Sequence, residues 1–166
     1  MNGKIVQINT SPGGVPKYPV PQANVLKLGI EGDEQAHPQF HGGPQMALLL
    51  LCAEVIDKLK DEGFPLYYSA LGENITTSGL DHRDLRIGQQ FRIGAQVWIE
   101  LTKIRQPCSQ LDVYGKGRIQ SAIYDKQVKA GDPSSPRWAM SGMYASIVRP
   151  GMIWPGDAIT LVGEVA

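Results

Sequence analysis

A mainly β fold, a closed or nearly closed β-barrel with one or two short helices, is what this chain predicts, on three observations. Seven to nine short stretches have strand-like apolar patterning, and they are spread along the whole sequence. The 19 glycines and 12 prolines between them supply turns at short intervals without reaching the share of about 25–30% that marks disorder. Only one stretch has a clear helical period, which disfavours a parallel sheet of alternating strands and helices. A length of 166 residues fits one domain, residues 1–166, since domains peak at about 100–150 residues.

In chain order, Gly3 to Asn9 alternates, with Ile5 and Gln7 on one face and Val6 and Ile8 on the other. Ser11-Pro12-Gly13-Gly14-Val15-Pro16 breaks this strand, and Pro19 and Pro21 keep the chain extended. Ala23 to Leu28 alternates again, and Gly29 to Pro44 reads as a long loop. Met46 to Leu51 is a continuous apolar run, as in a strand buried on both faces. Cys52, Val55, Ile56 and Leu59 then fall at i, i+3, i+4 and i+7, an amphipathic helix that Gly63 terminates. Asn74 to Thr77, Gln90 to Ile93 and Gln96 to Lys103 are strand-like, and Val97, Ile99 and Leu101 share one face of the last. Arg118 to Ala130 reads as a helix, Gly131 to Arg137 as an exposed loop and Ser141 to Val148 as a strand. The turn Arg149-Pro150-Gly151 and the turn Pro155-Gly156-Asp157 precede a final strand, Ala158 to Val162.

Sixteen basic side chains balance sixteen acidic ones, which argues against a nucleic-acid partner, because backbone binding needs an excess of Lys and Arg. A membrane partner is not expected either. The longest apolar run, Ala47 to Ala53, falls far short of the roughly 20 residues of a spanning helix. Two cysteines and an N-terminus without a signal-peptide pattern point to a reduced, cytoplasmic protein.

Those cysteines differ in setting. Cys52 lies on the apolar helix stripe, where a free cysteine behaves as a small hydrophobe. Cys108 lies in Arg105-Gln106-Pro107-Cys108, past a long strand, with a cation three residues before it. A nearby guanidinium favours the thiolate, the nucleophilic and metal-binding form, and the alternative is a loop cysteine packed on the sheet. His37, His41 and Asp33 offer zinc-ligand chemistry together with Cys108, although His41 equally suits a backbone hydrogen bond within its loop. Gly42 and Gly43 either present amides to an anion or permit a tight turn. Glu73 and Asn74 supply a carboxylate and an amide, suited either to the mixed donor and acceptor edge of a heterocycle or to a turn.

Taken in order, Gly32-Asp33, His41-Gly42-Gly43-Pro44, Gly72-Glu73-Asn74-Ile75-Thr76, Arg105-Gln106-Pro107-Cys108 and the closing Arg149-Pro150-Gly151 through Pro155-Gly156-Asp157 resemble the MOSC domain. That domain is named after the C-terminal part of molybdenum cofactor sulfurases. Ser11 to Pro16 looks like the opening of its small stand-alone bacterial members. The resemblance implies a β-barrel that binds the molybdenum cofactor (molybdopterin), with no role for pyridoxal phosphate. Cys108 matches the cysteine that ligates molybdenum and is the implied catalytic residue. His41 and Asn74 would line the pterin pocket with Tyr144 and Arg105, and the amides of Gly42 and Gly43 would meet the phosphate.

Two positions depart from the family pattern. Met46 replaces a polar or basic residue, and Ser146 replaces an arginine after Tyr144-Ala145, leaving Arg118, Arg137 or Arg149 as substitute cations. The activity implied is reduction of small N-hydroxylated substrates. Electrons would come from a separate reductase, because this sequence has neither a cysteine set for an iron–sulfur cluster nor a dinucleotide fingerprint. A non-catalytic cofactor carrier or a persulfide sulfur relay at Cys108 is the alternative, a zinc hydrolase ranks third, and the oligomeric state stays open.

Overall fold

The computed structural model describes residues 1–34 and 42–164. Seven strands close a barrel. Asn2–Thr10 (β1), Leu48–Cys52 (β5), Ile75–Ser78 (β6), Gln89–Ile93 (β7), Val97–Ile104 (β8), Met143–Arg149 (β9) and Ala158–Glu164 (β11) pair in the circular order β1, β6, β5, β9, β8, β7, β11 and back to β1. Every pairing in this ring is antiparallel except β5 with β6, which the helix Ala53–Asp61 (α1) connects as a crossover. Tyr18–Val20 (β2) extends β1 beyond the ring. Ala23–Leu26 (β3), Gly29–Ile30 (β4) and Gly151–Ile153 (β10) form a separate three-stranded sheet.

The barrel closes where β1 passes from β11 to β6, and Gly3 allows it. A Cβ at Gly3 would stand 2.5 Å from the carbonyl oxygen of Ser78 and 2.8 Å from Cγ of Leu80, so no other residue fits between these neighbours. Further along β1 the register against β6 shifts between Ile5 and Gln7. The extra residue turns the strand, so Ile5 and Ile8 both enter the core at 1% and 0% exposure, where plain alternation would have placed them on opposite faces. Inside the ring, Phe91, Ile99 and Ile147 meet Ile5 and Ile75 in one apolar cluster. On β8 the burial alternates as the sequence predicts, with Val97, Ile99 and Leu101 inward. All five residues of β5 are buried because α1 covers one side of it.

Several predicted elements shift for local reasons. The predicted helix over 118–130 divides into Ile119–Ile123 (α2) and Lys126–Lys129 (α3), because Asp125 adopts extended backbone and its side chain accepts from the Val128 amide at 2.8 Å, capping a new helix. The predicted strand over 23–28 ends at Leu26 and turns back into β4, within the stretch expected to be loop. Tyr18–Val20 is a strand despite Pro19, since an edge strand tolerates a missing donor. The predicted turn Arg149-Pro150-Gly151 shrinks to Pro150 alone, between β9, which ends at Arg149, and β10, which starts at Gly151.

Helix α1 docks through Val55, Ile56 and Leu59, each no more than 1% exposed. Truncating Leu59 to Ala should cost about 2–5 kcal/mol by denaturant unfolding. The same truncation at Ile87, which is 57% exposed, should stay within about 0.5 kcal/mol.

Candidate functional site

Five strands bring the conspicuous motifs to one end of the barrel. The segment after β1, the start of β5, the entry to β6, the exit of β8 and the start of β9 wall a cleft of about 580 Å³, including its open mouth. Gly14, Lys17, Leu49, Asn74, Arg105 and Cys108 line it, together with Val15, Met46, Gly72, Gln106, Gln110 and Tyr144. Gly72 lies at φ 85°, and a Cβ there would sit 2.6 Å from Cγ1 of Val15, so glycine lets the 11–17 segment lie flat against this wall.

One side of the cleft is held by a buried ion pair. Lys17 Nζ donates to Asp33 Oδ1 at 2.6 Å, with side chains only 6% and 5% exposed. The same Asp33 oxygen accepts from the Ser11 amide at 2.9 Å, while Oδ2 accepts from Asn74 Nδ2 at 2.8 Å. Asn74 Oδ1 in turn accepts from the Leu49 amide at 3.0 Å. Both ends of the Asn74 amide are thus committed inside the protein, and both oxygens of Asp33 with them. Asn74 lines the cleft and its side chain ties together segments far apart in sequence, a long-range role rather than the local turn the motif suggested.

Glu73 turns away from the cleft and is fully buried. Its Oε1 accepts from the Ser69 amide at 2.6 Å and from the Thr76 hydroxyl at 3.0 Å, and Oε2 has no partner among the described residues. Burial pushes its pKa above the ordinary carboxylate value, against the hydrogen bonds from Ser69 and Thr76 and the charge of Arg105.

The opposite wall carries the thiol. Cys108 is half-buried and stands at the start of the short 3-10 turn Ser109–Tyr114. Arg105 is only 7% exposed, and its sole side-chain hydrogen bond among the described residues is a 3.5 Å contact from Nη1 to the Ser141 carbonyl, at the outer limit for such a bond. Its backbone is fixed: the Arg105 amide donates to the Gly142 carbonyl at 2.9 Å, and the Ser141 hydroxyl donates to the Arg105 carbonyl. Burial lowers the pKa of Arg105, while Tyr144, Cys108 and Glu73 around it act to keep the charge. Tyr144 is pushed up by burial, with Arg105 pulling the other way, so its phenol stays protonated at neutral pH.

Of the residues singled out in the sequence, Cys108, Arg105, Asn74 and Tyr144 meet in this cleft. Gly42 and Gly43 do not line it. They adopt φ 104° and 82°, and Gly43 opens the 3-10 turn Pro44–Met46 that delivers Met46 to the cleft, in keeping with their turn reading. His37 and His41 lie outside the described residues, and among the described residues no three His, Cys, Asp or Glu side chains cluster as metal ligands. None of the three substitute cations lines the cleft: Arg118 stacks on Phe64, Arg137 pairs with Asp125 at 3.8 Å and Arg149 stacks on Trp98. Ser146 does not line it either. Lys17 does, and sequence reasoning passed it over, since nothing in Pro16-Lys17-Tyr18 signals that a lysine there is buried against an aspartate sixteen residues on. Cys52 is buried as expected, but it ends β5 rather than lying on the helix stripe, and burial pushes its thiol up to about 12.

A barrel with this strand order and this cleft belongs to a defined class. A model of the MOSC domain family matches residues 37–160, and the chain is a member of that family. Among curated proteins it is 32% identical over 146 residues to protein YiiM of Escherichia coli K12, covering 86% of this chain and 60% of that one. It is 29% identical over 153 residues to the uncharacterized protein YflK of Bacillus subtilis 168, covering 91% of this chain and 64% of that one. The chain therefore spans less than two thirds of the length of these relatives. A fungal protein from Gibberella moniliformis named "Reductase" is 27% identical over 138 residues, 81% of this chain and 22% of its own. The crystal structure of a hypothetical protein superposes with a TM-score of 0.76 at 26% identity, over 100% of this chain and 70% of its own. That of YiiM from Geobacillus stearothermophilus gives 0.72 at 25%, over 97% and 75%. No helix among the described residues is long and apolar enough to cross a membrane.

Two outcomes follow from the walls of the cleft. Asp33→Leu should destabilise the protein by about 3–5 kcal/mol, because it strands the Lys17 charge in the interior, and adding Lys17→Met should recover much of that loss. Glu73 binds its proton more tightly folded than unfolded, so stability should fall as pH rises above its unfolded value of about 4.3. Chemical unfolding across about pH 4 to 8 should show that fall in the wild type and a flatter profile in Glu73→Gln.

Proposed function

We propose that this MOSC domain binds the molybdenum cofactor in the cleft and reduces N-hydroxylated small molecules, with electrons delivered by a separate reductase. The observation that carries this reading is the wall on which a half-buried thiol and a buried guanidinium stand three residues apart. Arg105 makes no ion pair among the described residues, and a buried cation in that state calls for an anionic partner from outside the chain.

The residues fit the group. A pterin-bound molybdenum already ligated by sulfur suits a further soft thiolate, which Cys108 supplies at the cleft's edge. Arg105 suits an anionic oxygen of the same group through a planar fork of donors. When bound, the cofactor supplies the two-electron chemistry by which a hydroxylamine, two protons and two electrons become an amine and water. The chain's own part is placement. Cys108 would hold the metal and Arg105 an anionic oxygen of the group, while Tyr144 keeps its Oη proton on the wall beside them. Lys17, Asp33 and Asn74 keep the facing wall rigid. The name of the Gibberella relative, a reductase of which this chain covers 22%, agrees with this chemistry. Electrons would enter this domain from outside it, since its two cysteines are too few for an iron–sulfur cluster of its own.

Protein produced in a cofactor-synthesising host should carry molybdenum, and Cys108→Ala should reduce the metal to background while leaving unfolding unchanged. Undiminished molybdenum in that variant, or none in the wild type, would overturn the assignment. Bound molybdenum with no reduction of a hydroxylamine by an artificial electron donor would make the domain a cofactor carrier instead.

A further inference from the structure

Lys17 also lines a second hollow, which the chemistry proposed for the cleft does not use. This is an open groove of about 800 Å³, including its mouth, where β1, β2, α1 and the segment after α1 meet. Its walls are aromatic: Tyr18 on β2 is 61% exposed and Tyr67 is 47% exposed. Tyr114 braces Tyr67, with ring centroids 6.3 Å apart and planes at 83°, and the Tyr68 hydroxyl is tied down by donating to the Asp57 carboxylate at 3.0 Å. The floor is polar and short of bonds. Ser69 is 2% exposed, and its hydroxyl has no hydrogen-bond partner among the described residues, yet it is not sealed off from solvent, so it opens on the groove. Ser69 stands at φ 91°, in the left-handed region that a side chain disfavours. Three hydrogen bonds hold it there: its amide donates to Glu73 Oε1 at 2.6 Å, and its carbonyl accepts from the amides of Lys17 at 3.2 Å and Gly72 at 3.0 Å. At the rim, Lys60 of α1 is exposed and makes no ion pair among the described residues, whereas Lys17 is neutralised by Asp33.

We infer that this groove is a binding site for a planar aromatic ring that carries an anionic group. A flat ring covers the exposed faces of Tyr18 and Tyr67 by stacking. Lys60 meets the anion, and a polar atom of the ligand gives the Ser69 hydroxyl the hydrogen bond that the fold leaves unmade. A purely apolar ligand would shut that hydroxyl in without a partner, and an uncharged one would leave Lys60 unpaired. The bracing of Tyr67 and Tyr68 lowers the ordering cost of binding. Mononucleotides and aromatic carboxylates share this chemistry, and both fit a groove of this size. The site needs no molybdenum cofactor, so it stands or falls apart from the function proposed for the cleft.

Titration of nitrogen-labelled protein with AMP and, separately, with 4-hydroxybenzoate tests this. The backbone amide resonances of Lys60, Tyr67 and Ser69 should shift, and those of Gln106 and Cys108 should stay in place. Adenosine and phenol, which lack the anion, and ribose 5-phosphate, which lacks the ring, should each bind about tenfold more weakly than the probe they are cut from. Tyr18→Ala should weaken the bound probe by about tenfold, and Lys60→Met should abolish most of its advantage over the uncharged control. Both side chains are exposed, so unfolding of the two variants should match the wild type. Shifts with AMP alone make the site one for nucleotides, shifts with 4-hydroxybenzoate alone make it one for aromatic carboxylates, and shifts with both make it open to either. No shift at these three amides with either probe, shifts confined to the amides around Cys108, or controls that bind as tightly as the probes would overturn the site.

Discussion

The ion pair between Lys17 and Asp33 is the constraint on which the cleft depends. A lysine and an aspartate removed from water are tolerable only if each is paired and the remaining lone pairs are filled, and here they are: Nζ stands 2.6 Å from Oδ1, and the Ser11 amide and the Asn74 amide complete the carboxylate. Three segments far apart in sequence are thereby fixed to one another: the loop after β1, the stretch after β4 and the entry to β6. The barrel brings these segments near one another, and the clasp sets their spacing. Gly72 then lets Val15 pack against the far side of the clasp.

That saturation divides the polar groups of the cleft into two sets. Asp33 and Asn74 are satisfied within the protein, and Lys17 is neutralised by Asp33. Arg105, Gln106, Cys108 and Gln110 all lie on the segment leaving β8 and remain short of partners among the described residues. One wall is scaffold, and on the function proposed above the other is the reactive one; a fixed scaffold favours that, since a group held at the right place reacts or binds far better than a mobile one. Glu73 supports the scaffold from behind, through Ser69 and Thr76, at the cost of a buried carboxyl whose second oxygen finds no partner among the described residues.

Much of this was legible before any coordinates. The barrel, the helix after β5 and the alternation of β8 follow from periodicity, because each of these elements buries one face against a common core. That Arg105 and Cys108 come together was legible from their spacing just past a long strand, and they do line one cleft at the exit of β8. What stayed hidden depends on contacts between distant segments. Nothing local to Lys17 reveals its burial, and nothing in Gly72-Glu73-Asn74 reveals that the amide is consumed by Asp33 and the carboxylate by Ser69. The bulge at β1 was equally invisible, since the extra residue shows only against its partner strand. The split of the 118–130 helix was within reach, because Asp125 followed three residues later by an amide it caps is a helix-start pattern in its own right.

The account stands or falls on whether the thiol of Cys108 reaches the metal of a bound cofactor. X-ray absorption at the molybdenum edge, measured on cofactor-loaded wild type and on Cys108→Ser loaded to the same metal content, addresses this directly. The wild type should show one more sulfur in the first coordination shell than the serine variant, with an oxygen in its place in the variant. Identical sulfur shells in the two proteins would contradict the assignment of Cys108 as the ligand and, with it, the division of the cleft into a scaffold wall and a reactive one.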